Sequence, residues 1–122
     1  MDYIFDNNIP IYLQIIEIIK INIISDKYKP GQQLKPVRTL AEEFEVNPNT
    51  IQRALSELEN LGLVYSKRTK GRFVTEDIEL IYKIKKNLAI NEVENLINSL
   101  KNLGYSSDEI TALIEEAMGG EK

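Results

Sequence analysis

Residues 36–60, PVRTLAEEFEVNPNTIQRALSELEN, constrain the fold more than any other stretch of the chain. Leu40, Ala41 and Phe44 share one face of a short helix. Ile51, Leu55 and Leu58, spaced by four and three residues, share one face of a second. The pattern breaks at Glu45-Val46 and restarts at Asn47-Pro48. An asparagine side chain can accept from the free amides of a first turn, and proline at the first helical position gives up only an N–H without a helical partner. Two short helices across so tight a turn must bury their seam against a third element. The second keeps an exposed side carrying Asn49, Thr50, Gln52 and Arg53. The spacing predicts a helix-turn-helix whose second helix presents polar side chains outward.

The third element lies upstream. Pro10 reads as a first helical residue, after an extended lead over residues 1–9. Tyr12, Ile15, Ile19 and Ile23 then mark one helical face. Ile16 and Ile24 widen it, and Ile11, Ile18 and Ile21 broaden it further. Isoleucine is β-branched, but the three- and four-residue spacing favours helix over strand. A helix this apolar needs cover on more than one side, from the last segment or from a partner chain. Tyr28-Lys29-Pro30-Gly31 is a turn by composition. Beyond the second short helix, Gly62 reads as a left-handed cap. Residues 63–66 and 72–75 read as two strands joined through Thr69-Lys70-Gly71, with Leu63 and Phe73 or Val74 pinning the hairpin to the helices.

From Glu76 the helical pattern returns. Ile78, Ile81, Ile84 and Leu88 lead into Val93, Leu96, Ile97, Leu100 and Leu103, with Asn91 expected to disturb the phase and Gly104 to end the element. Ser106-Ser107-Asp108-Glu109 fits a capping box opening a last short helix with Ile110, Leu113, Ile114 and Ala117. The fold class expected is mainly α with a small β-hairpin: a winged helix-turn-helix domain over residues 1–75 and a two-helix dimerisation tail over 76–122. The chain has 122 residues, of which 43% are apolar, enough for one compact domain and such an appendage.

Charge and composition narrow the chemistry. The chain has no cysteine and no histidine, so disulfides and thiol chemistry are excluded and no catalytic residue, metal site or cofactor is expected. Glu42-Glu43 and Glu115-Glu116 are adjacent on helices, point to different sides and define no catalytic cleft. No apolar run is long enough for a membrane span, and residues 1–9 have the wrong charge for a signal peptide, so a cytoplasmic protein is expected. The net charge of −4 is uneven. Residues 1–75 hold 10 basic and 9 acidic side chains, and residues 76–122 hold 5 and 10. Four of the six residues 67–72 are basic. Phosphate binding follows the local patch rather than the total.

These pieces, taken in order, resemble the GntR family of bacterial transcription regulators. The resemblance rests on Pro10-Ile11-Tyr12 with Gln14, Pro30-Gly31 with Leu34, Val37-Arg38-Thr39-Leu40-Ala41 and Val46-Asn47-Pro48-Asn49-Thr50. It continues through Arg53-Ala54, Leu58-Glu59, Gly62 and Gly71-Arg72-Phe73-Val74. The short helical remainder is similar to the YtrA-like subfamily, which implies dimerisation through the tail and repression of targets such as transporter operons. Two departures stand out. The family usually has Pro-Ser before the Val-Arg pair, where this chain has Lys35-Pro36. The wing usually has Gly-x-Gly, where Thr69 replaces the first glycine.

The resemblance implies double-stranded DNA as partner, bound as a homodimer on an inverted repeat. Whether a small-molecule effector exists is left open. Arg38 and Arg53 are the leading candidates for DNA contact, against the bland alternatives of pairing with Glu42 and Glu57 four residues on. Asn49, Thr50 and Gln52 are candidates on the same helix, and Lys35 for a phosphate. At the wing, Lys70, Gly71 and Arg72 are candidates for minor-groove contact, with Lys67 and Arg68 for phosphates or steering. Alternation puts Lys70 and Arg72 on one side of the hairpin. Tyr12 and Tyr65 are expected as half-buried core. The expected dimer face is Ile78, Ile81, Ile84, Leu88, Leu96, Leu100, Ile110, Leu113 and Ile114. The alternative function is a winged-helix protein-interaction module without specific DNA binding.

Overall fold

The computed structural model describes residues 4–120, in the order α1 (Ile11–Ile24), α2 (Val37–Phe44), α3 (Pro48–Asn60), β1 (Val64–Lys67), β2 (Gly71–Val74), α4 (Ile78–Asn102) and α5 (Ser107–Gly119). This is the expected class, mainly helical with one antiparallel hairpin. Residues 1–3 of the expected N-terminal lead lie outside the described residues. The chain divides into two compact units at Ile84/Lys85, within α4.

The first unit is built on α1. Ile15, Ile19 and Ile23 are essentially fully buried, with Ile16 close behind. They join Leu40, Ala41 and Phe44 of α2, Ile51, Ala54, Leu55 and Leu58 of α3, and Leu34, Leu63, Val64 and Val74 in one core. Burying each isoleucine contributes about 1.5–3 kcal/mol, so the isoleucine face fixes the helix despite its β-branched residues. Ile11 and Ile21 remain exposed, at 41% and 51%. Pro10 takes the cap position, one residue earlier than expected. Gln14 ties the preceding lead to α1. Its Nε2 donates to the carbonyls of Asp6 and Ile9, and its Oε1 accepts from the Asp6 amide, each at 2.8 Å.

The turn between α2 and α3 forms where the pattern breaks. Glu45 adopts φ 57°, the left-handed conformation that closes a helix. Its N–H donates to Glu42 O and that of Val46 to Ala41 O. At the start of α2, Pro36 is the cap residue, one position before the first turn, and no side chain caps the helix. At the start of α3, Asn47 Oδ1 accepts from the Asn49 amide at 2.8 Å, with Pro48 first in the helix. Gly62 closes α3 at φ 82°. A Cβ there would sit 3.0 Å from Leu80 Cδ2.

The wing pairs Val64 with Val74, Tyr65 with Phe73, Ser66 with Arg72 and Lys67 with Gly71. β1 therefore begins and ends one residue later than expected and β2 one residue earlier, so the turn is 68–70 and Gly71 belongs to β2. Thr69, in the middle of this turn, has φ 65°, a left-handed position for a β-branched residue. Leu63 and Val74 are fully buried, while Phe73 is half-buried and stacks on Tyr65 with ring centroids 5.7 Å apart. A third segment pairs along the free edge of β2, unannounced by any local pattern. Leu34 N–H donates to Arg72 O at 2.8 Å, Val74 N–H to Gln32 O at 2.8 Å, and Gly31 N–H to Val74 O at 2.9 Å. A two-stranded hairpin is marginal alone, and this third segment supplies part of the pairing that steadies it.

α4 runs unbroken through Asn91 to Asn102, and Gly104 follows at φ 101°. The expected disturbance at Asn91 does not occur. An asparagine inside a long helix costs only a few tenths of a kcal/mol, roughly, and neighbouring turns override it. No α4 side chain is fully buried. The capping box of α5 forms as expected: Ser106 Oγ accepts from the Glu109 amide, and Glu109 Oε1 from the Ser106 amide. Ile110 is buried. No helix among the described residues is long and apolar enough to cross a membrane.

Candidate nucleic-acid interface

The outward side of α3 carries exposed Asn49, Gln52 and Arg53 and half-buried Thr50. Arg53 and Gln52 are adjacent in sequence but are held by different parts of the molecule. The Arg53 guanidinium lies over the Tyr12 ring, 3.7 Å from its centroid, and donates to the Tyr12 hydroxyl at 3.1 Å. Arg53 makes no ion pair with Glu57 among the described residues. Tyr12 is half-buried, as expected, and also serves as a stacking platform. Forty-one residues separate the two, so no local spacing announces the contact.

On the other side, Arg72 reaches from β2 to α3. Its Nε donates to Glu59 Oε1 at 2.6 Å and its NH1 to Gln52 Oε1 at 2.6 Å. Ser66 Oγ donates to the same Glu59 oxygen at 2.8 Å. The Arg72 hydrogen bond is the main cause holding the Glu59 carboxyl below its ordinary pKa, against partial burial that pushes it up. Arg72 and Lys70 thus part company. Arg72 is drawn onto α3, with its side chain 22% exposed, and Lys70 stays at the wing tip. Sequence reasoning identified Arg72 and Gln52 but missed Glu59 and Ser66. The one available signal was an acidic residue seven positions after Gln52, hence on the same helical face.

The remaining cations also divide. Lys67 Nζ sits 4.7 Å from the Phe73 ring centroid and 5.8 Å from that of Tyr65. Lys35 pairs with Glu43. Arg38, Arg68 and Lys70 are exposed, and among the described residues their side chains make no ion pair, hydrogen bond or ring contact. Arg38 is therefore not paired with Glu42. Gly71 has φ 107°, and a Cβ there would stand 3.2 Å from Gln33 Nε2, which donates to Lys70 O at 2.6 Å. The wing tip is thus anchored through its backbone while its cations face solvent. Among the described residues no cluster of acidic side chains could hold a metal ion.

The expected dimer residues are not alike. Ile81 and Ile84 pack against the core of the first unit. Ile110 is buried within the chain. Leu88, Leu100, Leu113 and Ile114 are half-buried. Ile78 and Leu96 are open, at 59% and 47% exposure.

An exposed polar helix behind a tight turn, flanked by a hairpin with a basic tip, defines a winged helix-turn-helix regulator. Residues 11–74 match the bacterial regulatory proteins of the gntR family. The chain belongs to that family and is a DNA-binding transcription regulator, not an enzyme. It is 38% identical to the uncharacterized HTH-type transcriptional regulator YhcF of Bacillus subtilis over 110 residues, covering 90% of this chain and 91% of that one. It is 30% identical to the HTH-type transcriptional repressor YtrA of the same organism over 118 residues, covering 93% and 91%. A GntR family transcriptional regulator from Listeria monocytogenes shares its fold with TM-score 0.85 and 38% identity, over 92% of this chain and 98% of that one. The DNA-binding domain of AraR, in a crystal structure with operator ORX1, matches with TM-score 0.57 and 29% identity, over 62% and 95%.

Proposed function

We propose that the protein is a dimeric, YtrA-like transcriptional repressor that binds an inverted-repeat operator in the cytoplasm and blocks a promoter, with transporter genes as the class of target. The observation that carries this reading is the set of cations without a partner among the described residues, Arg38, Arg68 and Lys70, around an outward helix on which Gln52 and Arg53 are already held in position. Cations without internal partners are available to phosphates, and ordered side chains to base edges. In this reading α3 enters the major groove with Asn49, Thr50, Gln52 and Arg53, while Arg38 and Lys35 meet the backbone. The wing approaches with Lys67, Arg68, Lys70, Gly71 and Arg72. Arg53 and Arg72 keep further N–H donors for DNA beyond those used internally. Similarity to YtrA along nearly the whole chain supports the repressor role.

Residues 1–75 would form the DNA-binding domain and 76–122 the dimerisation tail. The open apolar side chains Ile78 and Leu96, with half-buried Leu88, Leu100, Leu113 and Ile114, favour a self-complementary C₂ contact. Selection of bound sequences from a random duplex pool tests the DNA reading. An enriched inverted repeat is expected. Binding without enrichment, or no binding by a folded protein, would leave the interaction-module alternative standing. Ultracentrifugation at micromolar concentration tests the assembly, and a monomer there removes the dimer.

A further inference from the structure

The contact between Gln52 and Arg72 fixes more than a rotamer. A guanidinium has N–H donors and no acceptor, so the Gln52 atom facing Arg72 NH1 must be the carbonyl oxygen. Arg72 is itself held, by its Nε on Glu59 at 2.6 Å, and Glu59 is held by Ser66. The chain of contacts leaves the Gln52 amide with its oxygen turned to the wing and its NH₂ group free. Gln52 is exposed, on the same side of α3 as Asn49 and Arg53.

A free glutamine reads adenine best, because its amide matches the N6 donor and N7 acceptor of that base together. That match needs the oxygen. Here the oxygen lies against a positive charge, and the adenine N6 amino group, itself a donor, would be brought against the same charge. Guanine offers two acceptors, O6 and N7, on its major-groove edge and suits an amide that presents only N–H groups. We propose that Arg72 sets the reading polarity of Gln52, so that Gln52 acts as a donor-only reader of guanine in each half-site. The inference rests on the DNA reading above and adds to it which base this side chain selects and what sets that choice.

The test is selection from a random duplex pool with the full-length protein and three variants, all checked for native circular dichroism. The wild type should enrich guanine at one position per half-site. Gln52→Met, which keeps the length and removes the donors, should lose roughly 5- to 150-fold of discrimination at that position alone. Gln52→Glu, which only accepts, should move the preference there toward cytosine, whose N4 amino group donates. Arg72→Met releases the Gln52 oxygen and should move the preference from guanine to adenine. Adenine at the Gln52-dependent position of the wild type would overturn the proposal. So would an Arg72→Met protein that loses guanine without gaining adenine while Gln52→Met changes nothing, since guanine would then belong to Arg72. A wild type that enriches no motif defeats the DNA reading itself. A motif that Gln52→Met leaves intact defeats only the assignment of Gln52.

Discussion

The Arg53–Tyr12 contact links α3 to α1, and its strength can be measured without DNA. Arg53→Ala removes a guanidinium 3.7 Å from the ring centroid and a hydrogen bond of 3.1 Å to the hydroxyl. At an exposed site the cation–ring attraction is worth about 0.5–1 kcal/mol. A single hydrogen bond adds a net contribution of about 0.5–1.5 kcal/mol, less here because water competes for both groups. The pair should therefore couple by about 1 kcal/mol. Native-state hydrogen exchange at the buried Ile51 and Ile19 amides reads the opening free energy of the first unit in the intact protein. A cycle of wild type, Arg53→Ala, Tyr12→Leu and the double variant isolates the coupling from the lost ring packing. Tyr12→Phe, which keeps the ring and loses the acceptor, should give up about half. Coupling within about 0.3 kcal/mol of zero, the usual additivity scatter, would mean the contact holds nothing together. An Arg53/Glu57 cycle should give that null result, because no such ion pair forms.

Three further outcomes follow from the same geometry. Gly62→Ala forces a side chain into φ 82° with its Cβ 3.0 Å from Leu80 Cδ2, and should destabilise the first unit by about 1–2 kcal/mol in urea unfolding; an unchanged midpoint would mean the α3 cap relaxes freely. Ser106→Ala breaks the capping box and should cost about 0.5–2 kcal/mol, seen as faster exchange of the Glu109 amide, with no change in the first unit. Because Arg72 lowers the Glu59 pKa, that pair's stabilisation is fully present above the ordinary glutamate range and is lost as pH falls through the lowered value. An acid titration followed by NMR should accordingly show Glu59 protonating below the ordinary range, and Arg72→Met should return it there; a Glu59 that titrates normally in the wild type would break the clamp.

The helix-turn-helix was legible because each of its parts is local. Ile51, Leu55 and Leu58 declare their face within eight residues, Asn47-Pro48 declares the start of α3, and Gly62 its end. The capping box at Ser106 was legible for the same reason. The hairpin was found with its strand ends one residue off, because alternation over four residues cannot fix where pairing starts and stops. Residues 31–34 add pairing along the other edge of β2, which no local pattern announced. Side-chain partners were the least legible. The i,i+4 rule offered Glu42 and Glu57 for Arg38 and Arg53, yet Arg53 chose an aromatic ring forty-one residues away. Arg72 chose Glu59 and Gln52 over the solvent that strand alternation offered it. Spacing along one helix predicts which groups can meet, and tertiary packing decides whether a better partner is nearer.

These partner choices sort the basic residues by task. Successive residues of a helix point about 100° apart, so Gln52 and Arg53 lie at the two edges of the outward side of α3 and are braced by different elements. Arg53 is fixed from α1 and Gln52 from the wing, before any DNA is present. Side chains ordered in advance avoid an ordering cost of about 0.5–1.5 kcal/mol each on binding. The charge on Arg72 is largely offset by Glu59, so in the proposed reading long-range attraction falls to Arg38, Arg68 and Lys70. In the proposed reading, a chain with net charge −4 holds DNA through a few cations that have no partner among the described residues. In that reading Gln52 and Arg53, already paired, contribute selectivity more than attraction.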